Sequence, residues 1–157
     1  MFSSRKITMT LNSTTPILTR GVCQLFEDLG FGILKEFKLA NGRRVDIIAI
    51  NQNGEFIIVE IKSGLIDYRT DRKWQQYLPF CERFYFAVPI GFPTEMIPKD
   101  CGLIVADDFS AVIKRESIFQ KINTTRKRIQ LIKFGHTASK RLNKCERKDY
   151  LRGFKNC

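Results

Sequence analysis

The sequence contains a single histidine, His136, and no two of its five cysteines stand at C-x-x-C spacing. An odd number of scattered cysteines indicates reduced thiols, so neither a disulfide framework nor a zinc site is predicted. No apolar run approaches the ~18 residues of a membrane span, and the N-terminus lacks the apolar region of a signal peptide. We therefore expect a soluble, cytoplasmic protein with no membrane partner and no histidine-based acid–base chemistry in its main domain.

Acidic residues are almost missing from the C-terminal part of the chain. Residues 121–157 hold 12 Lys/Arg and 2 Asp/Glu, whereas residues 1–120 hold 15 and 14. Such a basic segment is typical of proteins that bind the phosphates of nucleic acid, although a solvated helix or a contact with an anionic membrane would give the same composition. We favour nucleic acid, most of all DNA, as the partner. The predicted contacts in this segment are Arg126, Lys127 and Arg128.

The length and the 43% hydrophobic content predict one compact domain with extensions. We place a polar leader at residues 1–15, the domain at residues 16–118 and a basic tail at residues 119–157. The tail is predicted either to form an amphipathic segment or to be disordered. In the first case the partly buried side chains would be Ile129, Ile132 and Phe134.

Helical spacing of apolar residues begins at the start of the domain. Thr15 is predicted to cap a first helix, with Pro16 in its first helical position and Gly30 at its end. Apolar runs bounded by turn residues then predict six strands. These strands are residues 31–39, 43–50, 55–62, 83–89, 102–107 and 111–115.

A second helix is predicted to cross from the third strand to the fourth. Thr70 would cap it, and Pro79 would end it because the proline ring cannot continue the hydrogen-bond ladder. Trp74 and Tyr77 share a face of this helix, so we interpret them as core residues rather than as platforms for base stacking. The order of elements predicts an α/β fold in which a mixed central β-sheet is flanked by helices.

Three charged residues interrupt the most apolar pair of strands: Asp46, Glu60 and Lys62. Glu60 and Lys62 point to the same face because side chains alternate along a strand. A two-residue turn at 53–54 would send Asp46 to the other face, whereas a three-residue loop at 52–54 would bring it opposite Glu60. We predict the three-residue loop, since the other register leaves isolated charges on both faces of strands that are apolar on both sides.

Two carboxylates within reach of each other repel, and a divalent cation between them relieves the repulsion. Asp46 and Glu60 are therefore predicted to bind Mg²⁺, or Mn²⁺ in its place, together with the carbonyl oxygen of Ile61. Lys62 would orient or help to deprotonate an attacking water and would stabilise charge that develops on phosphorus. The alternative is a cross-strand ion pair on a half-exposed sheet.

An aspartate followed by E-x-K on the next strand resembles the catalytic signature of the PD-(D/E)XK nuclease superfamily, and the order of elements resembles its restriction-endonuclease-like core. A resemblance to the MmcB-like family of predicted DNA-repair endonucleases rests on five segments, NGRRVDIIAI, GEFIIVEIKS, DYRTDRKWQQY, RFYFAVP and GLIVAD, within residues 20–115. The resemblance implies metal ligation by Asp46 and Glu60 and a catalytic role for Lys62. Val45 stands where the superfamily's name has proline.

The superfamily often adds an acidic residue from the region of the first helix. We rank Glu36, in the first strand, above Glu27, in the first helix, as that residue and as a fourth catalytic candidate. Contacts with the phosphates of the substrate are predicted from Arg43, Arg44 and Lys73.

The leading hypothesis is a Mg²⁺-dependent endonuclease that hydrolyses phosphodiester bonds of DNA in repair or recombination. One alternative is a nuclease fold that has lost turnover and only binds nucleic acid. A second is an RNA-directed protein, since nothing in the charged hairpin, the two strands that carry Asp46, Glu60 and Lys62, distinguishes ribose from deoxyribose. The sequence does not indicate an oligomeric state.

Overall fold

A computed structural model describes residues 11–153 of the chain, with side chains for residues 14–152. Within its described part, the chain divides into two compact units, with the boundary between residues 121 and 122. The second unit contains helix α3 (Thr124–Gly153). The first unit contains helix α1 (Leu11–Asp28), strands β1 (Gly32–Lys38), β2 (Arg44–Ile50) and β3 (Phe56–Ile61), helix α2 (Leu65–Thr70), and strands β4 (Arg83–Pro89), β5 (Gly102–Ala106) and β6 (Ala111–Arg115). Short 3₁₀ turns lie at Trp74–Gln76, Leu78–Phe80 and Thr94–Met96.

The six strands form one sheet in the order of the chain. β1, β2 and β3 are antiparallel, β4 and β5 continue parallel to β3, and β6 is antiparallel to β5. Parallel neighbours require crossovers, which are the segments between β3 and β4 and between β4 and β5. The predicted α/β fold, with a mixed sheet flanked by helices, is confirmed.

The two faces of the sheet have different covers. Helix α1 packs on one face, where Leu18, Val22 and Phe26 are buried against apolar residues of the central strands. Aromatic rings cover the opposite face, and they come from β4 and from both crossovers. Ring contacts on that face join Trp74 to Phe84 and Phe86, and Tyr68 to Phe86 and Phe92. A charged side chain placed on either face must therefore find a partner.

The first helix ends where the sequence predicts and begins earlier. The Gly30 N–H donates to the Glu27 carbonyl and the Phe31 N–H to the Phe26 carbonyl, which is a Schellman cap with Gly30 at φ 82°. Its predicted start is wrong, because α1 begins at Leu11 and contains Pro16. Pro16 has no N–H to donate, so the helix continues through it with one hydrogen bond fewer. The predicted leader thus overlaps α1, and its first ten residues lie outside the described part.

The helix predicted after Thr70 is wrong. Helix α2 ends at Thr70, Asp71 is extended, and two 3₁₀ turns carry the chain toward β4. Side chains three residues apart share a side in a 3₁₀ turn as they do in a helix, so the spacing of Trp74 and Tyr77 fits both. The interpretation of Trp74 and Tyr77 as core residues is confirmed, since both rings contact Phe84.

The basic tail forms one continuous helix, α3, from Thr124 to Gly153. Asn123 caps α3, and its Oδ1 accepts a hydrogen bond of 3.1 Å from the Arg126 N–H. Ile129 and Ile132 are exposed and Phe134 is half-buried, so the partial burial predicted for the two isoleucines is wrong. Between residues 11 and 153, no helix is both long and apolar enough to cross a membrane.

Candidate active site

Whether Asp46, Glu60 and Lys62 share one face of the sheet depends on the loop between β2 and β3. Cross-strand pairs such as Ile47 with Val59 set the register, which continues to place residue 46 opposite residue 60. The loop consists of residues 52–54, with Gly54 at φ 75° and its N–H bonded to the Asn51 carbonyl at 3.0 Å. A positive φ at this point is the conformation that such a loop requires. The predicted three-residue loop is confirmed, and the two-residue alternative is wrong.

The two predicted carboxylates are held together by the backbone of the neighbouring strand. Asp46 Oδ2 accepts a hydrogen bond of 2.8 Å from the Ile61 N–H, and Glu60 Oε1 accepts one of 3.3 Å from the Asp46 N–H. The Glu60 side chain is 6% exposed. Ile61 points its side chain into the core on the α1 face, so Asp46, Glu60 and Lys62 share the aromatic face.

Lys62 lies between two acids. Its Nζ is 2.6 Å from Asp71 Oδ2 and 3.7 Å from Glu60 Oε2, and its side chain is 6% exposed. Asp71 is itself oriented, because its Oδ1 accepts a hydrogen bond of 2.8 Å from the Lys73 N–H. Sequence reasoning missed Asp71, which it placed inside a predicted helix. No local pattern would have shown that this aspartate reaches Lys62.

Burial and mutual repulsion shift the protonation of these groups. Burial, followed by the charge of Asp46, raises the pKa of Glu60 to about 8. Burial also raises the pKa of Asp46. Burial alone would lower the pKa of Lys62, but the bond to Asp71 and the charge of Glu60 outweigh it and raise that pKa. Although burial opposes it, the bond from Lys62 lowers the pKa of Asp71. The site without a ligand therefore holds a charged Lys62–Asp71 pair beside two carboxyls, Asp46 and Glu60, whose pKa values are raised.

Tyr77 belongs to the same neighbourhood. Burial raises its pKa to about 12, and the negative charges of Glu60, Asp71 and Asp46 add to the rise. Its ring tilts over Phe84, at 6.4 Å between centroids. The aromatic layer thus forms an apolar wall beside the acids, which limits their access to water.

Glu36 and Glu27 line one recess between α1 and β1, about 450 Å³ in volume. Glu36 lies on β1 across from Asp46, at a break in the ladder, and it has a positive φ of 51°. Its negative charge contributes to the raised pKa of Asp46. Glu36 Oε2 also lies 2.7 Å from Arg44 Nε, in a pair that is mostly exposed. The structure therefore places Glu36 beside the site and Glu27 across the same recess.

The predicted phosphate contacts fall in different places. Arg43 is half-buried, and its Nε donates to Gln76 Oε1 at 2.7 Å, which ties the start of β2 to the 3₁₀ turn. The Lys73 side chain is exposed, while its backbone N–H holds Asp71. Arg44 pairs with Glu36. The three predicted tail contacts lie in the first two turns of α3 and are Arg126, Lys127 and Arg128.

The donor set around Asp46 and Glu60 fits a hard divalent cation. Burial and mutual repulsion raise the pKa values of both carboxyls, and the charge of a bound cation would offset both effects. Carboxylate and carbonyl oxygens are the ligands that Mg²⁺ prefers. Among residues 14–152, no three His, Cys, Asp or Glu side chains come together as a metal cluster. Asp46 and Glu60 would supply the carboxylate ligands of such a site, and the Ile61 carbonyl and water would complete the coordination.

Comparison with known proteins identifies relatives of this chain. Residues 4–149 match the family model described as DNA repair protein MmcB-like. A solved structure, SPO1766 of unknown function from Silicibacter pomeroyi, is 36% identical with a TM-score of 0.81, over 85% of this chain and 92% of that chain. Pyrococcus furiosus SfsA, solved with Ca²⁺, is 14% identical with a TM-score of 0.32, over 68% and 62% of the two chains, which is too weak to support an argument. No curated protein matches.

Proposed function

Because the chain belongs to the MmcB-like family of DNA repair proteins, we propose that it acts in DNA repair as a metal-dependent nuclease that hydrolyses phosphodiester bonds. We assign it to the PD-(D/E)XK superfamily. The observation that carries the proposal is the cluster of Asp46, Glu60 and Lys62 on a covered face of the sheet, at the adjoining ends of β2 and β3.

The acids have the role of ligands. Asp46, Glu60 and the Ile61 carbonyl would hold Mg²⁺, or Mn²⁺ in its place, and the bound ion would activate water and neutralise charge on the scissile phosphate. The Ile61 N–H fixes Asp46 at 2.8 Å, so one carboxylate is oriented before any ligand arrives. An ordinary ion pair on an exposed strand would not require this burial.

Lys62 acts as a fixed cation. The bond to Asp71 keeps its ammonium charged and aimed at the Glu60 side of the site. A charged ammonium donates hydrogen bonds, so it orients the attacking water and stabilises negative charge that develops on phosphorus, rather than accepting a proton. Asp71 is a positioning residue, since it acts through Lys62.

The test is cleavage of labelled single-stranded, duplex and branched DNA, with RNA alongside, in Mg²⁺, in Mn²⁺ and in EDTA. Asp46→Asn is expected to lower the rate of cleavage by at least about 100-fold. This is more than the loss of about 10–100-fold that usually follows when a group hydrogen-bonded to a metal ligand is changed. Glu95→Gln, an exposed acid on a 3₁₀ turn, is the matched control and should cut like the wild type.

Cleavage in EDTA, or undiminished cleavage by Asp46→Asn, would contradict the proposal. Nucleic-acid binding without cleavage by any of these proteins would instead favour a nuclease fold that has lost turnover. A clear preference for RNA would favour the RNA-directed alternative.

A further inference from the structure

Helix α3 carries an exposed row of cations that the proposed chemistry does not use. Lys140, Lys144 and Arg147 follow one another at spacings of four and three residues, so they lie along one side of the helix. With Asn143 they line a shallow recess of about 420 Å³, and all four side chains are exposed. We name Lys140, Lys144 and Arg147 the α3 basic face.

The acids of α3 do not neutralise this face. Glu146 and Asp149 are the two acidic residues of the helix. At about 100° per residue, each lies at least about 100° around the helix from all three cations of the α3 basic face. An amphipathic membrane helix needs an apolar surface opposite its basic one, and here that side carries both acids. The pattern therefore favours a polyanion in water over a lipid surface.

We propose that the α3 basic face binds the sugar–phosphate backbone of double-stranded DNA without reading its sequence. The row from Lys140 to Arg147 spans about 10 Å of the helix axis, which matches about three successive phosphates of one strand. No aromatic side chain lines the recess, so it offers no platform for unpaired bases. The inference deepens the proposed function by naming a surface that holds the substrate, and it rests on that function for the choice of DNA.

Binding of a labelled duplex of about 20 base pairs to the full chain tests the α3 basic face, by fluorescence anisotropy in EDTA between about 50 and 300 mM KCl. The variant combines Lys140→Gln, Lys144→Gln and Arg147→Gln. Losing three phosphate contacts should reduce the slope of log affinity against log salt by about 3, and lower affinity at low salt by at least about tenfold. Glutamine keeps a helix propensity close to those of lysine and arginine, and far-UV circular dichroism checks that α3 is intact.

A control variant removes the same charge elsewhere. Lys38→Gln, Lys99→Gln and Lys114→Gln are exposed positions in the first unit, and together they should change the slope by less than about 1. Lys140→Arg with Lys144→Arg should keep the wild-type slope, because phosphate contact needs charge. Equal losses in the two triple variants, or an unchanged slope in the α3 triple variant, would overturn the proposal.

Two further arms separate the possible outcomes. Vesicles containing phosphatidylserine test the lipid alternative, and a triple variant that loses vesicle binding while it keeps DNA binding would overturn the proposal. Cleavage of the same DNA by the wild-type chain in Mg²⁺, measured alongside, is the second arm. A lowered slope in a protein that does not cut would leave the α3 basic face standing and refute the nuclease, whereas cutting with an unchanged slope would do the reverse.

Discussion

Replacing Glu60 by glutamine is expected to stabilise the metal-free protein, although it removes a proposed ligand. Burial and the charge of Asp46 raise the pKa of Glu60 from its ordinary 4.5 to about 8. Between these values the unfolded chain releases the proton while the folded chain keeps it. The free energy of unfolding therefore falls as pH rises through this window. Glutamine is uncharged at every pH, so the free energy of unfolding of the variant does not fall for this reason.

The size of the effect follows from the two pKa values. At about 1.4 kcal/mol for each pKa unit, the wild type loses about 3 kcal/mol by pH 7 and about 1 kcal/mol by pH 5. We expect Glu60→Gln to be more stable than the wild type by about 2–3 kcal/mol at pH 7, which is about 5–10 °C in Tm for a protein of this size. Lys62 keeps its 2.6 Å contact with Asp71, so the substitution leaves no unpaired cation.

Urea unfolding in EDTA at pH 5, 6, 7 and 8 measures this difference. Trp74, the one tryptophan of the chain, stacks on Phe84 beside the site and reports unfolding by fluorescence. Glu95→Gln should follow the wild type at every pH. The reasoning is refuted if Glu60→Gln is no more stable than the wild type at pH 7, or if its advantage does not grow between pH 5 and pH 7. If the proposed site binds Mg²⁺, adding the ion should stabilise the wild type and not the variant.

Two further substitutions probe the interior in EDTA at pH 7. Lys62→Met leaves Asp71 without its cation and should lower the free energy of unfolding by about 3 kcal/mol, as breaking a buried pair does; a loss under about 1 kcal/mol in urea unfolding would show that the pair is solvated. Gly102→Ala would place a Cβ 2.2 Å from Cδ1 of Tyr85, and the overlap should cost about 1–3 kcal/mol or more in the same assay. Gly135→Ala in α3, which meets no atom outside its own helix within 4 Å, is the matched control and should not be destabilised.

The charged hairpin could be predicted because it depends on neighbours in the chain. Alternation along β3 puts Glu60 and Lys62 on one face. A glycine that adopts positive φ at position 54 makes a three-residue loop, and that loop brings Asp46 opposite Glu60. The same local rules predicted all six strands, since short apolar runs bounded by turn residues are typical of strands.

The segment after Thr70 could not be predicted from the same rules. Its apolar spacing fits an α-helix and a 3₁₀ turn equally well. The packing of Trp74 and Tyr77 on Phe84 favours the two short 3₁₀ turns. The start of α1 could not be predicted either, because Pro16 is typical of a first helical position, yet the helix runs through it from Leu11.

Local order along this chain thus accounts for the strands, the register and the shared face of Asp46, Glu60 and Lys62. The partner of Lys62 is a different matter, because Asp71 reaches it only after α2 has ended and the crossover has turned back over the sheet. The raised pKa of Glu60 is equally a property of the folded chain, since desolvation requires the aromatic layer from β4 and the crossovers. Side-chain alternation and turn geometry are set by neighbours in the chain, whereas the Lys62–Asp71 pair and the burial of Glu60 depend on how distant segments pack.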